Sequence, residues 1–158
     1  MNCPRCQTAL VNKQYEGVSV DTCSSCQGTW LDEEELKVII EKRENFFKDK
    51  DIKKTLSERT FKLKESENES RIPCPKCMKM MKTFNYGGDS GIILDRCHNN
   101  HGLWFDQGEL DKVQMFREHW EKEAQSRGDE WMAMANSTKT KGPSSLSPFQ
   151  LLVNFFFD

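Results

Sequence analysis

Two copies of one ligand pattern constrain the fold of this chain most strongly. The first copy is DTCSSCQGTWLDEEEL at residues 21–36, and the second is DRCHNNHGLWFDQGEL at residues 95–110. A Cys-Pro-basic-Cys turn precedes each copy, at residues 3–6 and 74–77. The chain therefore presents the same unit twice: a ligand pair, a hairpin-length spacer, a second ligand pair, a Gly-x-Trp step and a helix start.

Each unit is too small to fold on an apolar core alone. A repeat of about 40 residues lies below the size at which apolar burial usually suffices, so a cross-link such as a metal ion or a disulfide is expected to stabilise it. The odd number of cysteines, seven, argues against a closed set of disulfides. The chain starts without the basic and apolar regions of a signal peptide, so we expect a cytoplasmic protein. In that reducing compartment, CxxC pairs hold metal ions or carry out redox chemistry.

The first repeat has the spacing of a four-coordinate zinc site. Structural zinc binds four thiolates or imidazoles, usually as two pairs on tight turns. The residue Arg5 lies between the first two ligands and can offset their negative charge, as can Lys76 in the second repeat. Four free or redox-active cysteines would instead leave residues 1–36 almost without a core. The predicted ligands of the first site are Cys3, Cys6, Cys23 and Cys26.

The second repeat departs from this set at its fourth ligand. Asn100 occupies the place of Cys26, and His98 and His101 stand on either side of it. An adjacent Cys-His pair rarely bends both side chains onto one ion, whereas Cys97-x3-His101 has normal ligand reach, so we expect His101 rather than His98. A three-ligand site closed by water would leave the metal open and is the one route to catalysis. The predicted ligands of the second zinc ion are Cys74, Cys77, Cys97 and His101.

The spacers predict short strands and the segments after them predict helices. Strands are expected near residues 9–11 and 17–21, and a wider hairpin turn near residues 86–91. Asp32 and Asp106 each begin a capping box and so are predicted to start helices rather than to bind metal or act as catalytic acids. Both tryptophans of the Gly-x-Trp steps are expected in the core; the alternative is an exposed ring that stacks on a base or partner.

The predicted fold class is a small, metal-stapled α+β protein. It contains two metal-binding modules, each followed by a helix, and a C-terminal apolar helix on a flexible linker. A further helix is expected from about residue 51 to 64, a polar joint at 65–70, and a helix stop near Gly128. The expected segments are 1–48, the first module with its helix; 49–72, a charged helical linker; 73–128, the second module with its helix; 129–147, a flexible linker; and 148–158, an apolar docking helix.

The combined motif CPxC, D-x-C and G-x-W-(L/F)-D-x-x-E-L resembles the transcription-factor-IIB-type zinc ribbon. The resemblance covers residues 1–40 and 73–113. It implies two metal knuckles on β-hairpins, each followed by a short helix. It implies little about biochemical activity, because a fold does not fix a function.

The leading functional hypothesis is a non-enzymatic zinc-binding adaptor or regulatory protein. Residues 148–158 are strongly apolar, so they are expected to dock on a protein partner or a second copy, on the protein's own ribbons, or at a membrane surface. Nucleic-acid or transcription-complex binding is the alternative, although the net charge of −2 gives no overall drive toward it. A rubredoxin-like iron redox protein is a third reading of four thiolates. The lysines that support nucleic-acid binding are Lys48, Lys50, Lys53, Lys54, Lys62 and Lys64.

Overall fold

The computed structural model describes residues 1–42, 47–57, 71–88 and 90–138. Residues Met1–Met115 form one compact unit, and a second unit begins at Phe116. We call residues 1–42 ribbon 1 and residues 71–115 ribbon 2. The elements in chain order are β1 Leu10–Tyr15, β2 Val18–Cys23, β3 Thr29–Leu31, α1 Glu33–Lys42, α2 Asp49–Ser57, β4 Lys82–Asn85, β5 Ile93–Arg96, β6 Leu103–Phe105 and α3 Glu109–Thr138.

The two ribbons share a single antiparallel sheet. Its strand order is β1-β2-β3-β6-β5-β4, so the third strand of each ribbon lies at the centre and pairs with the other. Trp30 stands directly opposite Trp104 in this central pair. The sequence repeat is thus also a spatial repeat, with the two copies meeting along their shortest strands.

Turn chemistry explains the two hairpins. In ribbon 1, Glu16 and Gly17 both have positive φ, at 49° and 72°, as the tight primed turns of two-residue hairpins require. In ribbon 2, glycines with positive φ stand at both ends of the longer turn, at Gly87 and Gly91. Both hairpins were expected from the sequence, and both strands of ribbon 1 extend further than predicted.

Strand alternation gives the sheet two different faces. Trp30 and Trp104 lie opposite each other and are both buried on one face. The neighbours Leu31, Leu103 and Phe105 project to the other face, since successive side chains alternate, and they are buried as well. The central strands are therefore enclosed on both sides. Buried helical side chains complete the core of this unit: Leu36, Ile39, Ile52, Leu110 and Val113.

The helix starts predicted at Asp32 and Asp106 are confirmed, but one predicted stop is wrong. We expected α3 to end near Gly128, and it continues to Thr138. Glycine ends a helix when it adopts the left-handed conformation at the C-cap, and Gly128 does not have positive φ. A helical glycine costs only about 1 kcal/mol relative to alanine, which the surrounding helix formers can offset.

Several expectations fall on residues outside the described ranges. These are the end of the second predicted helix beyond Ser57, the polar joint at 65–70 and the apolar segment at 148–158. The division of the chain into domains stays a prediction. Within the residues that the structure describes, no helix combines the length and the apolar character needed to cross a membrane.

Candidate metal centres

Ribbon 1 gathers four cysteine sulfurs into one cluster. The sulfur of Cys6 lies 3.4 Å from that of Cys3 and 3.4 Å from that of Cys23, and the sulfurs of Cys3 and Cys26 are 3.6 Å apart. All four donor atoms lie within 4.8 Å of one another. Tetrahedral zinc with Zn–S bonds of 2.3 Å needs sulfurs about 3.8 Å apart, whereas a disulfide would bring them to about 2 Å. The geometry therefore fits a metal ion held by four thiolates.

Ribbon 2 gathers three sulfurs and one imidazole nitrogen. The Nδ1 atom of His101 lies 3.6 Å from the sulfur of Cys97 and 3.9 Å from that of Cys74. The sulfurs of Cys77 and Cys97 are 3.6 Å apart. A tetrahedral zinc ion with three sulfurs and one nitrogen requires sulfur–nitrogen separations of about 3.6 Å. His101 belongs to this group of four, and His98 is exposed and does not.

The turns that carry the ligands share one backbone conformation. After the second cysteine of three CxxC turns comes a residue in the left-handed region: Gln7, Gln27 and Met78, with φ near 60°. In each, the N–H of that residue donates to the carbonyl of the first cysteine at 2.8–3.0 Å. This closes the turn and aims both sulfurs at the same point.

The fourth turn reaches its ligand by a different route. Asn100 has a φ of 54° and its N–H donates to the Cys97 carbonyl at 3.1 Å. The left-handed residue thus comes one position earlier than in the other turns, and the ligand, His101, follows it. Asparagine tolerates this conformation better than most residues. The replacement of a cysteine by Asn100 therefore shifts the turn by one residue, and a histidine completes the donor set.

The thiols of ribbon 1 have different proton affinities. Burial raises the pKa of Cys3 to about 12 and also raises that of Cys26. Hydrogen bonds with Cys23 and Cys3 lower the pKa of the exposed Cys6 thiol to about 6. At neutral pH the metal-free cluster therefore holds protons that a metal ion must displace.

Ribbon 2 repeats this contrast with fewer thiols. Burial raises the pKa of Cys74 to about 11. Burial also acts to raise the pKa of Cys97, but backbone hydrogen bonds near His101 and Asn99 and bonds to the other thiols together outweigh it, so the pKa is lowered. The backbone of the fourth turn thus favours the thiolate, the form that binds metal.

The tryptophan of each ribbon packs over a glycine of the other. A Cβ atom on Gly28 would lie 2.2 Å from Cζ2 of Trp104, and one on Gly102 would lie 2.9 Å from Cζ2 of Trp30. Both rings share a buried cluster with ligand cysteines of both ribbons. The interpretation of these tryptophans as core residues is confirmed, and the stacking interpretation is wrong because both rings are buried. Their packing across ribbons was not anticipated.

Polar contacts across the ribbons centre on Asp106. We expected Arg5 to offset thiolate charge; its guanidinium binds both oxygens of Asp106, with Nε 2.8 Å from Oδ1, and lies 3.6 Å from buried Asp95. Asp106 also accepts the Nε1–H of Trp104 at 2.9 Å. The counterpart aspartate, Asp32, uses its carboxylate to accept the Glu35 N–H at 2.9 Å and cap α1.

Three further contacts tie ribbon 1 to the start of α3 and to β5. The Tyr15 hydroxyl donates to Asp111 at 2.8 Å, and burial followed by this bond raises the pKa of Tyr15. The Gln114 amide donates to Glu16 at 2.9 Å. Glu33 forms an ion pair with Arg96 at 3.6 Å. The metal clusters are therefore held in one scaffold rather than on independent arms.

Comparison with protein families agrees with this geometry. The family model described as transcription factor zinc-finger, a transcription-factor-IIB-type zinc ribbon, matches residues 2–42 and 73–114. These two regions cover just over half of the chain. The chain belongs to this zinc ribbon family. No curated protein and no solved structure matches it.

The family match covers the two metal-binding repeats. Zinc binding through two cysteine-rich clusters follows from the family and from the donor geometry together. Sequence reasoning missed the reciprocal packing of each tryptophan on the other ribbon's glycine. The signal was present in the identical Gly-x-Trp spacing of both copies, since a large ring and a missing side chain at fixed separation suit each other in an antiparallel pair.

Proposed function

We propose that this chain is a non-enzymatic zinc-binding interaction protein in which each ribbon holds one structural Zn²⁺ ion. The single observation that carries the proposal is that each cluster supplies a complete set of four donors at tetrahedral separations. Side chains then fill the coordination sphere and leave no position for water or a substrate. The proposed ligands are Cys3, Cys6, Cys23 and Cys26 in ribbon 1, and Cys74, Cys77, Cys97 and His101 in ribbon 2.

Metal analysis of the purified protein tests this proposal. We expect two zinc ions per chain in a colourless protein, and fewer than two after Cys26→Ser or His101→Ala. The matched control His98→Ala should keep both ions, because His98 is exposed and outside the donor group. A red protein that contains iron would overturn the zinc assignment and favour the rubredoxin-like alternative. Loss of zinc from the His98 variant would overturn the ligand set.

The partner we propose is a protein, or a second copy of the chain, bound through residues 148–158. The support is the sequence itself: this segment is predominantly apolar, and it follows a polar stretch rich in Ser, Thr, Lys and Gly. Deletion of residues 147–158 should abolish self-association or partner capture and leave the zinc content unchanged. Unchanged assembly after the deletion would contradict the role of this segment, and release of bound lipid vesicles would assign it to a membrane surface. The thiolate ligands suit a reducing compartment such as the cytoplasm.

Nucleic-acid binding is the second candidate, and four exposed lysines in α2 and immediately before it support this function. Lys48, Lys50, Lys53 and Lys54 are all exposed, and no ion pair engages them in the described ranges. Such a strip can track phosphates, and its binding would weaken steeply with salt. Absence of binding to duplex or single-stranded nucleic acid at low salt would exclude this candidate.

A further inference from the structure

We propose that the metal knuckle of ribbon 2 is a docking surface for an acidic peptide that carries apolar side chains between its carboxylates. The surface, which we call the cationic knuckle, rests on the proposed function only in that a bound metal ion holds the turn. It is distinct from residues 148–158 and from the lysines of α2. Its members are Arg71, Lys76, Met78, Lys79, Met80 and Lys82.

The four cations of this surface are exposed and lie on a stretch of chain without acidic residues. The described residues 71–88 contain no aspartate or glutamate. Among the residues that the structure describes, none of the four cations forms an ion pair. Burial raises the pKa of the Glu35 carboxyl, and this effect outweighs the lowering effect of the Lys76 charge. The Glu35 carboxylate instead accepts the Asp32 N–H of the capping box. The knuckle therefore offers free positive charge to a partner.

The backbone brings these cations together. The isolated bridge between Pro73 and Met80, with the Met81 N–H donating to the Ile72 carbonyl at 2.9 Å, sets an antiparallel register. That register places Arg71 alongside Lys82. Like charges directly opposite each other destabilise a strand pair, so nothing in the fold itself favours this arrangement. A carboxylate between them would convert repulsion into attraction.

Ribbon 1 shows what the same turn looks like without this surface. In ribbon 1, Thr8 and Val11 occupy the positions of Lys79 and Lys82. Arg5 occupies the position of Lys76, and it forms an ion pair with Asp106. The donor sets differ in the same sense. Replacing one thiolate with a neutral imidazole makes the metal centre of ribbon 2 one unit less negative than that of ribbon 1. Both differences raise the positive potential of the second knuckle alone.

The methionines decide between a peptide and a nucleic acid. Met78 is 66% exposed and Met80 is 50% exposed, and both alternate with the lysines. Methionine side chains are flexible and polarizable, and they suit adaptable contacts with apolar protein side chains. A phosphate backbone offers them no apolar partner, and the knuckle presents no exposed aromatic ring on which a base could stack.

The test uses full-length, zinc-loaded protein and a fluorescein-labelled peptide in which aspartates alternate with leucines. We expect saturable binding that weakens with added salt. Two variants import ribbon 1 residues at the matching positions, which keeps the turn foldable. Lys79→Thr with Lys82→Val should weaken binding about tenfold, as expected for two lost exposed ion pairs. Met78→Gln with Met80→Ala should weaken it about fivefold through lost apolar contact.

Controls separate this surface from the other candidates. Lys50→Gln with Lys53→Gln removes the same charge from α2 and should leave peptide affinity unchanged. Equal loss in both lysine pairs, or unchanged binding in the knuckle variants, would overturn the proposal. So would tighter binding of duplex DNA that displaces the peptide. Zinc content is measured on every preparation: a protein with both ions that ignores the peptide refutes this inference alone, whereas a protein without zinc refutes the proposed function.

Discussion

Ribbon 1 and ribbon 2 share one backbone plan but use their polar side chains differently. In ribbon 1, the Asp32 carboxylate caps its own helix, and the Nε1–H of Trp30 has no hydrogen-bond partner among the described residues. In ribbon 2, the Asp106 carboxylate accepts Trp104 and Arg5. The positions that shape the knuckle and the central strand are retained in both copies. Polar side chains outside those positions make different contacts in the two copies.

The reciprocal packing makes the two ribbons mutually dependent. Each ring lies over the glycine that follows the other ribbon's second ligand pair, and that glycine carbonyl accepts the N–H of a ligand, Cys23 or Cys97, at 2.8 and 3.1 Å. Loss of metal from one ribbon therefore disturbs the seat of the other ribbon's tryptophan. The two clusters should respond together when either is broken.

The largest effect is expected from removal of metal. Structural zinc contributes roughly 10–16 kcal/mol of apparent binding energy in small domains, more than a core of this size supplies. Chelation should therefore remove the strand signal of both ribbons in circular dichroism, and Cys23→Ser alone should also weaken zinc retention at ribbon 2. Ribbon 2 that keeps its zinc and its structure in the Cys23 variant would show that the ribbons are independent.

The next largest effect is expected at the two glycines. Gly28→Ala sets a methyl group against the rigid Trp104 ring, and Gly102→Ala sets one 2.3 Å from the Leu31 carbonyl oxygen at a φ of 142°. Neither neighbour is a flexible side chain, so each substitution should cost about 4 kcal/mol or more in denaturant unfolding. Gly128→Ala is the control: its Cβ meets open space, and it should be neutral or slightly stabilising. Tolerance of alanine at Gly28 would contradict the packing across ribbons.

The pH dependence of zinc affinity sharpens the comparison of the donor sets. In ribbon 1, Cys3 and Cys26 have raised pKa values and hold protons at neutral pH when no metal is bound. The metal-bound form binds fewer protons, so affinity rises with pH and falls as pH drops. Two displaced protons correspond to about a hundredfold change per pH unit near neutrality. Competition with a chromophoric chelator measures it, and an affinity independent of pH would mean that these thiols are already ionised.

The smallest effect is expected at Asp32 and Asp106, which occupy equivalent positions in the two ribbons. Asp32→Ala removes a helix cap and should cost about 1 kcal/mol. Asp106→Ala removes the acceptor of the Trp104 N–H and of the two Arg5 hydrogen bonds, and should cost about 2–3 kcal/mol. Thermal unfolding of the two variants, with zinc content held equal, measures the difference. Equal costs would mean that the contacts of Asp106 across the ribbons contribute little.

Local features were largely predictable from residues close together in the chain. The CxxC turns, the Glu16-Gly17 hairpin and the capping boxes of Asp32 and Asp106 each depend on interactions within a few positions. The preference for His101 over His98 followed from reach along the backbone, and the structure brings His101 to the cluster. The end of α3 was missed because a glycine is a stop only when its φ becomes positive, and composition does not reveal φ.

The amino-acid sequence by itself determined the two donor sets, the turns that present them and the places where helices begin, because each of these depends on neighbours along the chain. Only the tertiary structure decided that the ribbons join through β3 and β6, and that each tryptophan fills the space above the other copy's glycine. It also decided that Arg5 forms an ion pair with Asp106, whereas the corresponding lysine of ribbon 2 has no ion-pair partner in the described residues. These contacts connect residues far apart in the chain. They stabilise the protein only when both ribbons have folded, because only then do the matching surfaces and opposite charges of the two copies lie next to each other.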